Sequence, residues 1–174
     1  MLENNARTPK ISICIPTFNR SKNLNDCIDS ILLNNGIDQI NYEVCISDNC
    51  SVDSTEEFVS NKIGKLPLKY FRHKAHVSRV ENYKKVISLA SGDFVWLIGD
   101  DDLLLPDAIY SINELIIQNN EVEFFYINSY CINSNYFDNG DLEYKLNNID
   151  PNTKRFSSWR KDGEMNFLGL INPK

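Results

Sequence analysis

The sequence predicts an open α/β domain, a mostly parallel sheet flanked by helices. Short apolar runs of strand length recur along the chain, and a segment with helical periodicity separates each from the next. The runs are nearly continuous rather than alternating, as expected for strands covered on both faces. With 174 residues, 42% of them apolar, the chain suffices for one ordinary domain. Such a domain buries roughly 70% of its unfolded surface and needs no disulfide or metal staple.

The first run is Ile11-Ser12-Ile13-Cys14-Ile15-Pro16, closed by proline, and the second is Tyr42 to Ser47, followed by Asp48-Asn49. The third is Leu68 to Phe71, the fourth Phe94 to Ile98, and a fifth is expected at about Glu123 to Ile127. Between the first two, Leu24, Cys27, Ile28, Ile31 and Leu32 form one helical face. Ser54 with Glu57, and Ser78 with Glu81, have the spacing of a capping box. Pro106-Asp107 opens a further helix through Ile109, Ile112 and Ile116, where proline loses no hydrogen bond. The order βαβαβαβαβ predicts right-handed crossovers. Residues 1–130 read as one unit. Residues 131–174 read as the irregular, truncated start of a second region, with a weak apolar patch at Phe167 to Ile171.

Asp and Glu number 24 against 18 Lys and Arg, a net charge of −6. That argues against a nucleic-acid partner, whose phosphates attract cationic surfaces. The five cysteines form no CxxC pair, and Cys14 and Cys45 lie inside apolar runs, where buried thiols are expected. No run reaches the ~18 apolar residues of a membrane span, and the polar start lacks a secretory h-region. The expected location is cytoplasmic.

Ligands of open α/β sheets bind beyond the carboxyl ends of the strands. The residues there are Thr17-Phe18-Asn19-Arg20, Asp48-Asn49, Arg72-His73-Lys74 and Gly99-Asp100-Asp101-Asp102. Three consecutive carboxylates repel one another by about 1 kcal/mol per pair at ~4 Å in water, and by more at a partly buried edge. A divalent cation would compensate them, and all-oxygen ligands fit Mg²⁺ or Mn²⁺. A solvated acidic turn before the Pro106 helix is the other reading. Asp48 could accept hydrogen bonds from a ribose or base, or form an Asx turn with Asn49. Neither GxGxxG nor GxxxxGK[ST] is present, so a diphosphate here would rely on metal and side chains. Arg20, Arg72, Lys74, His76 and Arg79 offer a local basic rim.

Three ordered blocks resemble the family 2 glycosyltransferases. They are Ile11 to Arg20, Ile46-Ser47-Asp48-Asn49-Cys50-Ser51-Val52-Asp53-Ser54-Thr55, and Ala90-Ser91-Gly92-Asp93-Phe94-Val95-Trp96-Leu97-Ile98-Gly99-Asp100-Asp101-Asp102. The last looks most like the abequosyltransferase-type branch, which builds bacterial O-antigen and related glycans. The resemblance covers residues 9 to 128 and implies a GT-A fold and inverting transfer of a sugar from a nucleotide-diphosphate donor. The implied acceptor is a saccharide or lipid-linked saccharide, the latter bringing the protein to the inner membrane face.

By the same resemblance, Pro16, Thr17, Asn19, Arg20, Asp48, Asn82 and Asp100 bind the donor nucleotide. Thr17 lines the base, Asp48 contacts base or ribose, and Asn82 stands at the position commonly written Arg-Asn. Asp53 belongs to the second block or caps the helix at Ser54. Counted back from Pro106, the first aspartate of the DxD motif falls on Gly99 and the second on Asp101. Asp101 is thus the expected direct metal ligand, for Mn²⁺ or Mg²⁺, with Asp100 and Asp102 as supporting candidates. The family's Asn-x-Gly loop is replaced by Lys74-Ala75-His76. An inverting enzyme needs a carboxylate base, and Asp162 and Glu164 are the available candidates. A truncated, non-catalytic nucleotide-sugar binder is the alternative. A haloacid-dehalogenase-type phosphatase fits poorly, because Leu104 stands where that motif wants Thr or Val.

Overall fold

The computed structural model describes residues 9–119, 121–127, 129–132, 136, 140–150 and 153. Four strands form one parallel sheet: β1 (Ile11–Thr17), β2 (Tyr42–Asp48), β3 (Leu68–Arg72) and β4 (Phe94–Leu97), in the order β3-β2-β1-β4. The helices are α1 (Ser21–Leu32), α2 (Thr55–Ser60), α3 (Arg79–Leu89), α4 (Ala108–Gln118) and α5 (Leu142–Asn147).

β1 lies between β2 and β4, and every one of its residues is buried. Ile11, Ile13 and Ile15 join Leu24, Cys27, Ile28 and Ile31 of α1 and Ile109, Ile112 and Ile116 of α4 in the main core. Cys14 and Cys45, directly paired across β1 and β2, turn to the other face and pack with Val86 of α3. Both faces of the central strands are therefore covered, which accounts for their nearly continuous apolar runs.

Three features differ from the sequence reading or add to it. Glu123 to Ile127 forms no strand; instead Phe125 packs against the core, its ring 6.1 Å from that of Phe94. Side-chain packing, rather than a backbone ladder, holds this run beside β4. At α2 the expected Ser54 capping box does not form. Asp53 acts in its place: Oδ1 accepts from the Thr55 N–H at 3.1 Å and the Thr55 hydroxyl at 2.5 Å, while Oδ2 accepts from the Ser21 N–H at 2.9 Å. One carboxylate thus serves two helix N-termini, where anions are favoured. At α3 the Ser78–Glu81 box forms as expected. In the stretch read as irregular, Asp141 caps the short α5, which touches α1. Phe167 to Ile171 lies outside the described residues.

The amino ends of the strands meet at Glu43, which is buried. Its carboxylate accepts from Lys10 at 2.6 Å, the Ser12 hydroxyl at 2.8 Å and the Ser91 N–H at 2.6 Å, and Lys69 lies 3.0 Å away. Burial pushes this carboxyl up, but the hydrogen bonds outweigh it and hold the group well below the usual range. The network ties β1, β2, β3 and the approach to β4 together at the end of the sheet opposite the loops that follow the strands.

Candidate donor site at the carboxyl edge of the sheet

Thr17 and Asp48 are register partners at the ends of β1 and β2. The parallel topology brings the loop after β4 to the same edge. Thr17 donates its hydroxyl to Asp100 Oδ2 at 2.8 Å. Arg20, at the start of α1, places one guanidinium nitrogen 3.1 Å from Asp100 Oδ1 and 3.0 Å from Asp101 Oδ2. Asp102 Oδ2 accepts from the Gly99 N–H at 2.7 Å. The mutual repulsion of the three aspartates is therefore met by a hydroxyl, a guanidinium and a backbone amide.

The three carboxylates occupy different environments. Asp100 is buried, whereas the Asp101 side chain is 57% exposed. Burial lifts the Asp100 carboxyl above its ordinary value, with Asp101's charge adding to this and Thr17 and Arg20 opposing it. The two aspartates hold Arg20 firmly charged, Asp100 foremost.

The residues fit a hard divalent cation at Asp101 and Asp102. A Cβ at position 99 would lie 2.8 Å from Asp101 Oδ1 and 3.1 Å from Asp102 Oδ2, so Gly99 leaves room for both carboxylates to lean over the backbone. Among the described residues no set of three or more His, Cys, Asp or Glu side chains forms a ready-made cage. Magnesium-type ions do not require one, since one or two carboxylates and substrate phosphates complete their shells.

The other expected donor contacts are drawn inward. Asp48 is fully buried; its Oδ1 accepts from the Ser51 N–H at 2.9 Å, its Oδ2 from the Tyr70 hydroxyl at 2.8 Å, and Arg72 Nε stands 3.5 Å away. Burial and this bond raise the Tyr70 phenol above its ordinary value. Buried Asn82 accepts from the Ser47 hydroxyl at 2.7 Å and donates to the Thr17 carbonyl at 3.4 Å, fixing α3 to two strand ends. Asn19 adopts a left-handed φ of 52°. Its N–H donates to Ser51 Oγ and its Oδ1 accepts from the Val52 N–H, each at 2.8 Å, latching the first loop to the second. Pro16 is buried inside β1, next to Thr17. Of the basic rim, Arg72 is committed to Asp48 and to the Ser51 carbonyl at 2.8 Å, while Lys74 and Arg79 are exposed. The His76 ring stands edge-on to exposed Phe18, 4.7 Å between centroids.

Sequence reasoning gave Asn49 only a place in a turn with Asp48; in the structure it holds the third loop, accepting from the Val77 N–H at 2.8 Å and donating to the Val77 carbonyl at 2.9 Å. An Asp-Asn pair closing a strand was the available signal. Asp162 and Glu164 lie outside the described residues. A cavity of about 720 Å³ adjoins the aspartate loop, lined by Asp101, Asp102, Lys22, Asp26, Trp96 and Tyr130 among others.

A family model described as "Glycosyl transferase family 2" matches residues 12–167. The chain belongs to glycosyl transferase family 2. Within the family it is similar to abequosyltransferase RfbV of Salmonella typhimurium, 38% identical over 103 residues, which are 57% of this chain and 30% of that protein. It thus spans about a third of that relative's length. Among solved structures, S. aureus TarS 1–349 in complex with UDP superposes with a TM-score of 0.60 at 23% identity, covering 64% of this chain and 33% of TarS. The mannosyltransferase PcManGT from Pyrobaculum calidifontis, in complex with GDP-Man and Mn²⁺, gives 0.56 at 17%, covering 81% and 39%. These likenesses establish the fold, which is GT-A. Among the described residues, no helix is long and apolar enough to cross a membrane.

Proposed function

We propose that this family 2 chain carries the donor site of a metal-dependent, inverting glycosyltransferase of bacterial surface polysaccharide synthesis. The donor is a nucleotide-diphosphate sugar and the acceptor a saccharide or lipid-linked saccharide at the cytoplasmic face of the membrane. The observation that carries the reading is the aspartate loop, held beside Thr17 and Arg20 at the strand ends with Gly99 leaving space beneath Asp101 and Asp102. UDP with TarS and GDP-Man with Mn²⁺ on PcManGT are consistent with it.

In this reading Asp101 and Asp102 hold Mn²⁺ or Mg²⁺, and Thr17 fixes Asp100 behind them. When bound, such an ion stabilises the charge that develops on the departing nucleoside diphosphate. Asp48 and Asn82 shape the nucleoside wall through Tyr70, Ser51 and the Thr17 carbonyl. The adjoining cavity, apolar at Trp96 and polar toward the aspartates, suits the acceptor.

Calorimetry with UDP, GDP, CDP and dTDP, with and without Mn²⁺, tests the reading on wild type and Asp101→Ala. One nucleotide should bind in a manganese-dependent way, and the substitution should abolish that dependence. If a well-folded sample takes up none of the four, the donor-site reading fails.

A further inference from the structure

Asp101, the carboxylate expected to take the metal, is already held by a cation of this chain. Arg20 holds Asp101 Oδ2 at 3.0 Å with the same nitrogen that holds Asp100 Oδ1 at 3.1 Å. Asp101 Oδ1 leans over Gly99, a separation of little more than 2 Å from Oδ2 within one carboxylate. An ion of the magnesium type sits ~2.1 Å from its carboxylate oxygen. A dication on Asp101 would thus stand a few ångströms from the guanidinium, where like charges repel.

We propose that Arg20 is a tethered counter-ion of the aspartate loop. It neutralises Asp101 from within the chain and gives it up when a divalent ion arrives together with a nucleoside diphosphate. The diphosphate supplies the anion to which the released guanidinium turns. The Arg20 side chain is half exposed, so it can swing without opening the core, and Asp100 stays anchored by Thr17 when it leaves. Metal and nucleotide then bind with positive coupling: each raises the affinity for the other by the same factor. The inference rests on the metal-dependent reading above.

The test measures Mn²⁺ binding by electron paramagnetic resonance on wild type, Arg20→Gln, Arg20→Lys and Asp101→Asn. Each is titrated with Mn²⁺ alone and with Mn²⁺ plus the nucleoside diphosphate that binds, and thermal melts verify folding. Arg20→Gln should bind Mn²⁺ alone about tenfold more tightly than wild type, the effect of removing one partly screened charge beside a dication. Its metal–nucleotide coupling should shrink. Arg20→Lys, which keeps the charge, should remain within about threefold of wild type for Mn²⁺ alone. Unchanged or weaker binding of Mn²⁺ alone by Arg20→Gln overturns the proposal, while a wild type that still binds metal with nucleotide leaves the donor-site reading intact. Failure of wild type to bind Mn²⁺ with any of the four diphosphates overturns both, and Asp101→Asn reports whether the metal sits on Asp101 at all.

Discussion

The Thr17 hydroxyl donates to Asp100 Oδ2 at 2.8 Å across 83 positions of sequence, joining the end of β1 to the aspartate loop after β4. Both partners are buried. Replacing Thr17 by valine keeps the shape and strands a buried carboxylate oxygen, a loss of about 1–3 kcal/mol. Thr17→Ser retains the donor and should stay within about 1 kcal/mol of wild type. Urea denaturation of the two variants distinguishes them, and a Thr17→Val protein as stable as Thr17→Ser would contradict the role of the bond.

Gly99 should be intolerant for reasons of space alone. Its backbone is not in the left-handed region, yet an added methyl would press on Asp101 Oδ1 and Asp102 Oδ2. These are side-chain ends that can swing aside, so Gly99→Ala should lose less than about 1 kcal/mol of stability. Manganese-dependent nucleotide affinity should fall by about tenfold or more, the scale of a disturbed ligand shell. Paired thermal melts and calorimetry separate the two effects.

Glu43 makes the fold acid-sensitive. Its carboxyl is held below the value it has in the unfolded chain, so its stabilisation is complete above the ordinary glutamate pKa of about 4.3. The contribution drains away as pH falls below that point and the unfolded state takes up the proton first. Glu43→Gln should lower stability at pH 7 by about 2–3 kcal/mol, because Lys10, Lys69 and Ser91 lose a charged partner. Between pH 7 and pH 3 the gap between variant and wild type should narrow. A gap that stays constant across that range would show that Glu43's charge is not involved.

Helix capping gives a pair of opposed expectations. Asp53→Ala removes the acceptor for both Thr55 and Ser21 and should cost about 1–2 kcal/mol. Ser54→Ala, at the position the sequence pattern favours, should change stability by less than about 0.5 kcal/mol. Equal losses in the two variants would restore the serine as the cap.

The central strands were legible because β1 and β2 are covered on both faces and read as short runs rich in Ile, Val and Cys. The α1 face, the α3 capping box and the α4 start were equally plain, since local patterns determine them. What escaped was non-local. Glu43 is one glutamate in an apolar run until the parallel register places Lys10, Ser12 and Ser91 around it. Glu123 to Ile127 has strand composition, but composition cannot tell a ladder from a side-chain docking through Phe125. At the site, the positions of Thr17 and the aspartates followed from the strand ends. The bond from the Ser51 N–H to Asp48 Oδ1 is a local turn contact that the sequence allowed, but that Tyr70 would take the other oxygen no spacing rule encodes.

β1 is laddered on both sides, whereas β4 has four residues and pairs along β1 over Ile11 to Cys14. Amide hydrogen exchange should therefore be graded across the sheet, with β1 exchanging only through global unfolding and β4 through smaller openings. Thr17 sits at the end of the slowest strand and the aspartate loop at the end of the faster one. The two halves of the proposed donor site should accordingly differ in kinetic character: a fixed anvil of hydroxyl and backbone on one side, and on the other a carboxylate arm free to adjust on its shorter stem.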